Sequence, residues 1–271
     1  MIRFRILGAG GAIPTPTHTF AAYWVTVDQT SILMDPGPGA LVRLVQSGDA
    51  PGGVDEIERV LFTHLHPDHC GDLVALLFAL HSPLTASRQP LRLYGPVGLS
   101  AYLDKLRQVY GRWLEPKQRE LIVTEWAEPE SLALPDGGKI TLFAVDHPQD
   151  RFSADGCLGY KFIDAAGHTV VFSGDTGPCA GLSEAAIGAD LLVVECSAPA
   201  GLGIRGHMDS HDVGRLCAAS QPSSVVLTHQ YPAAAAADLC AEIAPYFKGP
   251  VAQAQDGHLV HIPSTRGENS V

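Results

Sequence analysis

Basic residues are scarce in this sequence. Its 271 residues include 18 Lys and Arg against 29 Asp and Glu, and the formal net charge is −11 at pH 7. Proteins that bind nucleic acid backbones rely on clustered Lys and Arg, and the sequence contains no basic tract. The composition therefore excludes a general electrostatic attraction to polyanions.

Long apolar runs are also missing, so no segment is suited to span a bilayer. The N-terminal residues MIRFRILG lack the apolar core and the cleavage site of a signal peptide. Hydrophobic residues make up 46% of the chain and charged residues 17%, which is a globular balance. We expect a cytoplasmic protein without a membrane partner, a monomer or homodimer, folded as a single domain over 1–271 with a frayed polar tail at 264–271.

Closely spaced cysteine pairs are absent as well. The six cysteines include no C-x-x-C motif, and a chain of this length does not depend on disulfides. We expect them to be reduced and to pack as small hydrophobic residues. We expect the same of Cys70, although it directly follows His69. The ligands described below are already sufficient for the site, so a Cys70 thiolate is not needed as a further ligand.

What the sequence does contain is an alternation of short β-branched runs with segments of helical periodicity, which predicts a layered α/β architecture. The predicted strands are 3–7, 23–27, 31–34, 59–62, 91–94, 140–145, 159–163, 169–172, 191–194 and 225–227. The predicted helices are 40–46, 73–81, 99–110, 211–219 and 238–246, and the alanine run 233–237 is interpreted as the start of the last helix.

A cluster of potential metal ligands lies between a predicted strand and a predicted apolar helix. His64, His66, Asp68 and His69 occur within six residues, in the segment HLHPDH. Imidazole and carboxylate are favoured ligands of Zn²⁺, and Pro67 restricts the backbone between them. A lone histidine at a strand end is usually a hydrogen-bonded polar residue, but this cluster predicts a metal site.

Three more predicted strands end at potential ligands. Strand 140–145 runs into Asp146-His147, strand 169–172 into the segment SGDT that contains Asp175, and strand 225–227 into Thr228-His229. In layered α/β folds, sites form at the carboxyl ends of strands. We therefore expect these side chains to converge on the same site.

With these motifs the sequence resembles the metallo-β-lactamase superfamily, and within it the branch of ribonuclease Z and related phosphodiesterases. The resemblance covers nearly the whole chain and rests on H-x-H-x-D-H at 64–69, His147, GDT at 174–176 and LTH at 227–229, together with LGAGG at 7–11 and DPGPG at 35–39. It implies an α/β fold of four layers, an αββα sandwich with two mixed sheets flanked by helices.

The resemblance also implies a dinuclear centre with two Zn²⁺, for which Mn²⁺ or Fe²⁺ are possible substitutes. One ion would be bound by His64, His66 and His147, the other by Asp68, His69 and His229, and Asp175 would bridge them. Two neighbouring cations drive a shared water toward hydroxide and clamp the attacking and leaving oxygens. Asp68 is also expected to orient this nucleophile, and Asp35 to fix the tautomer of a ligand histidine.

Glu195 and His207 form a separate catalytic prediction. In the ribonuclease Z-like branch such a pair is thought to protonate the leaving group, and His207 lies 22 residues before His229, as the family pattern requires. A carboxylate partner would raise the imidazole pKa and keep the ring cationic. His211, one helical turn later, is the rival acid, and the non-catalytic alternative is a pair that caps a helix.

The sequence departs from full ribonuclease Z enzymes, which carry a protruding arm that grips transfer RNA. Only about 25 residues separate His147 from Gly174, too few for a large accessory element, and the loop 148–155 is acidic. These features argue against transfer RNA 3′ processing and leave nucleic acid open as a partner.

The preferred function is therefore a dinuclear zinc phosphodiesterase that acts on a small or modest-sized ester, because alkoxide leaving groups benefit from a positioned proton donor. A lactonase or thioester hydrolase is the enzymatic alternative, since the same metal chemistry serves carbonyl substrates. An inactive binding protein on the same fold is the third hypothesis, and lost ligands would be its mark.

Overall fold

A computed structural model describes residues 1–126, 130–148 and 156–263. Most of the acidic loop 148–155 and the whole predicted tail at 264–271 lie outside the described residues. Within those ranges, none of the helices has the length and apolar character needed to cross a membrane.

The described strands form two sheets. In chain order they are β1 (Ile2–Gly8), β2 (Ala22–Val27), β3 (Thr30–Met34), β4 (Arg59–Leu61), β5 (Leu91–Pro96), β6 (Leu121–Trp126), β7 (Ser131–Ala133), β8 (Lys139–Val145), β9 (Cys157–Ile163), β10 (Thr169–Phe172), β11 (Leu191–Glu195), β12 (Val225–Thr228), β13 (Val251–Gln253) and β14 (Leu259–Ile262).

The two sheets share one pattern of pairing. The first has the order β14-β1-β2-β3-β4-β5-β6 and the second β13-β12-β11-β10-β9-β8-β7. Pairing is antiparallel from β14 to β3 and parallel from β3 to β6. In the second sheet it is parallel from β13 to β10 and antiparallel from β10 to β7. Both sheets are therefore mixed, as predicted.

Helices cover the outer face of each sheet. They are α1 (Ala40–Ser47), α2 (Pro67–Cys70), α3 (Asp72–Leu80), α4 (Leu99–Tyr110), α5 (Ala180–Ala185), α6 (Ser210–Ser220), α7 (Pro232–Ala235) and α8 (Leu239–Ile243), with short 3₁₀ turns at Gly53–Glu56 and Gly111–Leu114.

Three apolar layers hold these elements together. The central layer lies between the sheets, where the rings of Tyr23 and Phe172 are 4.6 Å apart. A second layer joins the first sheet to α1, α3 and α4, and a third joins the second sheet to α5, α6 and α8. Burial of apolar side chains on both faces of each sheet drives this stacking. The predicted αββα sandwich is confirmed.

The predicted elements are present, but four strands and two helices were missed. The missed strands β6, β7, β13 and β14 are the four edge strands of the two sheets, and β7, β13 and β14 have only three or four residues. The missed helices α2 and α5 have only four and six residues.

The predicted helix over 238–246 was wrong in its extent. The alanine run does not continue into it, because Asp238 caps a new helix by accepting a hydrogen bond from the backbone N–H of Ala241. The segment is therefore split into α7 and the five-residue α8.

The outer face of β1 anchors the end of α1. Arg3 Nη2 and Arg5 Nε each donate to Asp49, at 2.6 Å, and Asp49 directly follows the C-cap of α1. Burial alone would raise the pKa of Asp49, but the guanidinium groups of Arg5 and Arg3 outweigh burial and lower it. The ionised carboxylate thus ties α1 to the first sheet.

We expect Asp49→Asn to lower the free energy of unfolding by about 1–3 kcal/mol at pH 7, because hydrogen bonds to charged groups are lost. The native pKa is depressed, so this stabilisation is present above the unfolded pKa of about 4 and is lost as pH falls through the native value. Urea denaturation at neutral pH and at about pH 3 tests this. An equal difference between the variant and the wild type at both pH values would contradict it.

Candidate metal centre

The carboxyl ends of four strands meet at one edge of the sandwich. β4 leads into His64 to His69, β8 into His147, β10 into Asp175 and β12 into His229. The seven potential ligands predicted from the sequence are all brought together there. Each ligand follows a strand end or belongs to the short helix α2, so regular elements hold the backbone of the site.

The segment between the predicted strand and the predicted apolar helix contains a short helix of its own. His66 is the N-cap of α2, Pro67 occupies its first position, and Asp68 and His69 follow within its first turn. Proline is favoured at this helical position because its missing N–H is not needed there. The helix turns Asp68 and His69 toward the same side as His64.

One group of ligand atoms comprises His64, His66 and His147. These atoms lie within 4.8 Å of one another, and His147 Nε2 is 3.2 Å from His66 Nδ1. Three imidazoles at such spacing match the donor set of a zinc site.

The second group comprises Asp68, His69, Asp175 and His229. Asp175 Oδ2 lies 3.3 Å from His69 Nε2 and 3.1 Å from His229 Nε2. It is also 3.8 Å from His64 Nε2 and 3.9 Å from His147 Nε2. The Asp175 carboxylate therefore lies between the two groups, which is the position of a bridging ligand.

Several of these buried atoms have no hydrogen-bond partner among the described residues: His64 Nε2, His69 Nε2, His229 Nε2 and Asp175 Oδ1. Buried polar atoms are normally bonded, and four convergent exceptions fit the binding of cations. Burial and the neighbouring His69 lower the pKa of His64, which favours the neutral, ligating imidazole. Burial would raise the pKa of Asp175, but the imidazoles of His229 and His69 outweigh it and keep the carboxylate ionised.

In three of the ligand histidines, the Nδ1 atom, on the other side of the ring from Nε2, forms a hydrogen bond with another part of the protein. His69 Nδ1 donates to Asp35 Oδ2 at 3.0 Å, so the predicted contact of Asp35 with a ligand histidine is present. Asp35 also accepts from the N–H and the hydroxyl of Thr63, and Thr63 Oγ1 lies 2.9 Å from His64 Nδ1. His147 Nδ1 donates to the carbonyl of Gly206 at 2.8 Å. These contacts select the tautomer that leaves Nε2 available.

Glu195 and His207 lie beside the cluster and bond to each other, with His207 Nδ1 at 3.0 Å from Glu195 Oε1. Burial would lower the pKa of His207, but Glu195 outweighs it and raises the pKa to about 9. A ring nitrogen of His207 is within 4.8 Å of ligand atoms of His147 and Asp175. A protonated imidazole can therefore face the space next to the metal ligands.

Two alternatives were open, that His211 is the acid and that Glu195 and His207 cap a helix. The ring of His211 packs against Tyr246, with centroids 5.4 Å apart. α6 is capped by Asp209 in a reciprocal box with Asp212, so the pair of Glu195 and His207 does not supply the cap.

Sequence reasoning assigned no role at the site to three residues that contact it. Ser197 bonds to Glu195, and the ring of Tyr231 lies 5.8 Å from those of both His207 and His229. Gly11 approaches so closely that a Cβ there would lie 2.8 Å from Cε1 of His229. Ser197 could have been found, because it follows Glu195 by two residues on an extended segment and so shares its face.

Cys70 does not join the ligands. Its thiol lies 3.4 Å from the carbonyl of Leu65 and 3.2 Å from the hydroxyl of Tyr102. Burial raises its pKa to about 11, which disfavours the thiolate that a metal would need.

Comparison with known proteins gives independent evidence about the family of this chain. The family model of the β-lactamase superfamily domain matches residues 30–230. An uncharacterized protein of Mycobacterium tuberculosis is 30% identical over 260 residues, which cover 92% of this chain and 88% of the relative. Ribonuclease Z of Mycobacterium avium is 33% identical over 202 residues, covering 71% of this chain and 69% of the relative.

Solved structures share the architecture. The metallo-β-lactamase fold protein YhfI from Bacillus subtilis superposes with a TM-score of 0.77 at 23% identity, covering 96% of this chain and 98% of that one. The short form of human tRNase Z gives a TM-score of 0.75 at 22% identity, with 97% and 100% covered. At these identities the likeness concerns the fold. The family match and the curated relatives go further: this chain belongs to the metallo-β-lactamase superfamily and, within it, to the ribonuclease Z-like branch.

Proposed function

We propose that this protein is a dinuclear zinc hydrolase that cleaves phosphodiesters of small or modest size. The observation that carries the proposal is the pair of Glu195 and His207 at 3.0 Å, set directly beside the two groups of metal ligands. A phosphodiester needs a proton at its leaving oxygen, and a cationic imidazole supplies one.

The ligand assignment follows the two groups. His64, His66 and His147 would hold one ion, Asp68, His69 and His229 the other, and Asp175 would touch both. The unpartnered Nε2 atoms of three of these histidines support this assignment. When bound, two zinc ions supply Lewis acidity and lower the pKa of a water molecule.

Three side chains would carry out the remaining steps of the reaction. Asp68 is the most exposed of the carboxylates in the cluster, and its Oδ2 lies 3.5 Å from His229 Nε2; this position supports a role for Asp68 in orienting the attacking water. His207 donates its proton to the leaving oxygen. Glu195, fully buried and bonded to the backbone N–H of Thr176 at 2.6 Å, holds His207 in orientation and stabilises its positive charge.

Phosphodiesters are preferred over carbonyl esters for two reasons. The relatives of the branch include proteins named ribonuclease Z, whose substrate class contains the phosphodiester bond. A buried proton donor also matters most for alkoxide leaving groups, which are strongly basic. The complete set of ligand side chains speaks against an inactive binding protein.

Metal analysis combined with three substrates tests this function. We expect two zinc ions per chain and hydrolysis of bis(p-nitrophenyl) phosphate well above that of a lactone and a thioester. Strong lactone or thioester hydrolysis without phosphodiesterase activity would overturn the substrate class. A protein that binds no metal and hydrolyses none of the three would overturn the enzymatic function as a whole.

A further inference from the structure

Ser197 places one hydroxyl among several groups of the site. It follows β11, is 1% exposed, and its Oγ lies 2.6 Å from Glu195 Oε2. The same oxygen is 3.2 Å from His207 Nδ1 and 3.2 Å from His229 Nδ1. A single buried side chain thus contacts both the proposed proton-donating pair and a proposed metal ligand.

The hydrogens at Ser197 can be assigned from its neighbours. Glu195 is an acceptor at the shortest of these distances, so the hydroxyl donates its one proton to Glu195 Oε2. A lone pair of the hydroxyl then accepts from the Nδ1–H of His229 at 3.2 Å, while the Nδ1–H of His207 is directed to its closer acceptor, Glu195 Oε1, at 3.0 Å. With the proton of His229 on Nδ1, its Nε2 is left as a lone pair that faces Asp175 at 3.1 Å.

The same arrangement occurs on the other side of the cluster. There the hydroxyl of Thr63 donates to Asp35 at 2.7 Å and lies 2.9 Å from Nδ1 of His64, while Asp35 binds His69 directly. In each half, a buried carboxylate binds one histidine directly and a second one through a hydroxyl. The difference is that Asp35 serves two metal ligands, whereas Glu195 serves one metal ligand and the proposed acid.

We propose that Ser197 is a positioning residue that couples the metal ligand His229 to the proton-donating pair of Glu195 and His207. The inference rests on the proposed function for the role of His207, but not for the contact with His229. Loss of the hydroxyl removes the acceptor of His229 Nδ1–H and one donor to Glu195. Both the metal site and the orientation of His207 then change together.

The test compares Ser197→Ala, Ser197→Thr and Ser220→Ala in the full-length protein. Ser220 is a matched control, since it is buried on α6 and donates to the carbonyl of Leu216 at 2.8 Å, away from the site. Zinc affinity is measured by competition with a chromophoric chelator, and kcat and KM are measured with phosphodiesters of good and poor leaving groups. Thermal unfolding of the metal-free proteins checks that each variant folds.

We expect Ser197→Ala to weaken binding of one of the two zinc ions by about 10- to 100-fold and to lower kcat more for the poor leaving group. Ser197→Thr keeps the hydroxyl and is expected to restore both properties, and Ser220→Ala to change neither. Wild-type zinc affinity in Ser197→Ala, or a loss confined to either zinc binding or leaving-group dependence, would overturn the coupling. Failure of the proposed function is distinguished by the His207→Ala variant, which would then show no selective loss for the poor leaving group, whatever Ser197→Ala does to zinc affinity.

Discussion

Asp175→Asn is expected to leave a folded protein that hydrolyses phosphodiesters far more slowly and retains less than two zinc ions per chain. The carboxylate lies 3.1–3.9 Å from Nε2 of four histidines, so the change removes the negative charge shared by both groups of ligands. We expect kcat to fall by at least the roughly 10²- to 10³-fold that loss of one charge-stabilising group costs in other enzymes. Metal analysis and kinetics on the same preparation measure both effects.

The amide is nearly isosteric with the carboxylate, so the effect is one of charge. Asp190→Asn is the matched control, because Asp190 is a partly buried carboxylate that accepts from the N–H of Thr169 at 2.7 Å at the opposite end of β10. The control should keep its metal content and its activity. Two tightly bound zinc ions and wild-type kcat in Asp175→Asn would refute the bridging role.

His207→Ala is expected to lower kcat far more for a substrate with a poor leaving group than for one with a good leaving group. For an alkyl phosphodiester, whose leaving oxygen must be protonated, we expect kcat to fall by about 10²- to 10⁴-fold. For bis(p-nitrophenyl) phosphate the fall should be much smaller, because nitrophenolate leaves without a proton. Zinc content should stay at the wild-type level, since the two ligand groups are complete without His207.

His211→Ala is the control for this experiment. His211 lies on α6, close in sequence to His207, but packs against Tyr246. We expect it to hydrolyse both substrates at the wild-type rate. An equal loss for both leaving groups in His207→Ala would show that this residue does not act as the acid, and a selective loss in His211→Ala would assign the role to the rival.

The ligand motifs could be read from the sequence because they are local. The segment from His64 to His69 holds four potential ligands next to a strand, and each further ligand follows a recognisable β-branched run. Periodicity places such residues at strand ends, and the rule that strand ends gather at one edge brings them together. Asp35 could be predicted for the same reason, because it lies directly after β3.

The edge strands and the last helix were harder to predict. β13 and β14 have three and four residues with mixed polarity, and only pairing with a longer neighbour stabilises them. The alanine run has high helix propensity, yet the capping hydrogen bond of Asp238 starts a separate helix. Local propensity is overridden there by a side chain-to-backbone contact.

By itself the sequence predicted the layered α/β class and the set of seven potential ligands, and the family resemblance implied the pairing of Glu195 with His207, with His211 as the rival. The tertiary structure decided that His207, not His211, lies against Glu195, and it alone revealed that Ser197 joins this pair to His229. The physical reason is that periodicity reports which face a side chain occupies, whereas hydrogen-bond partners depend on ångström-scale distances between segments far apart in the chain.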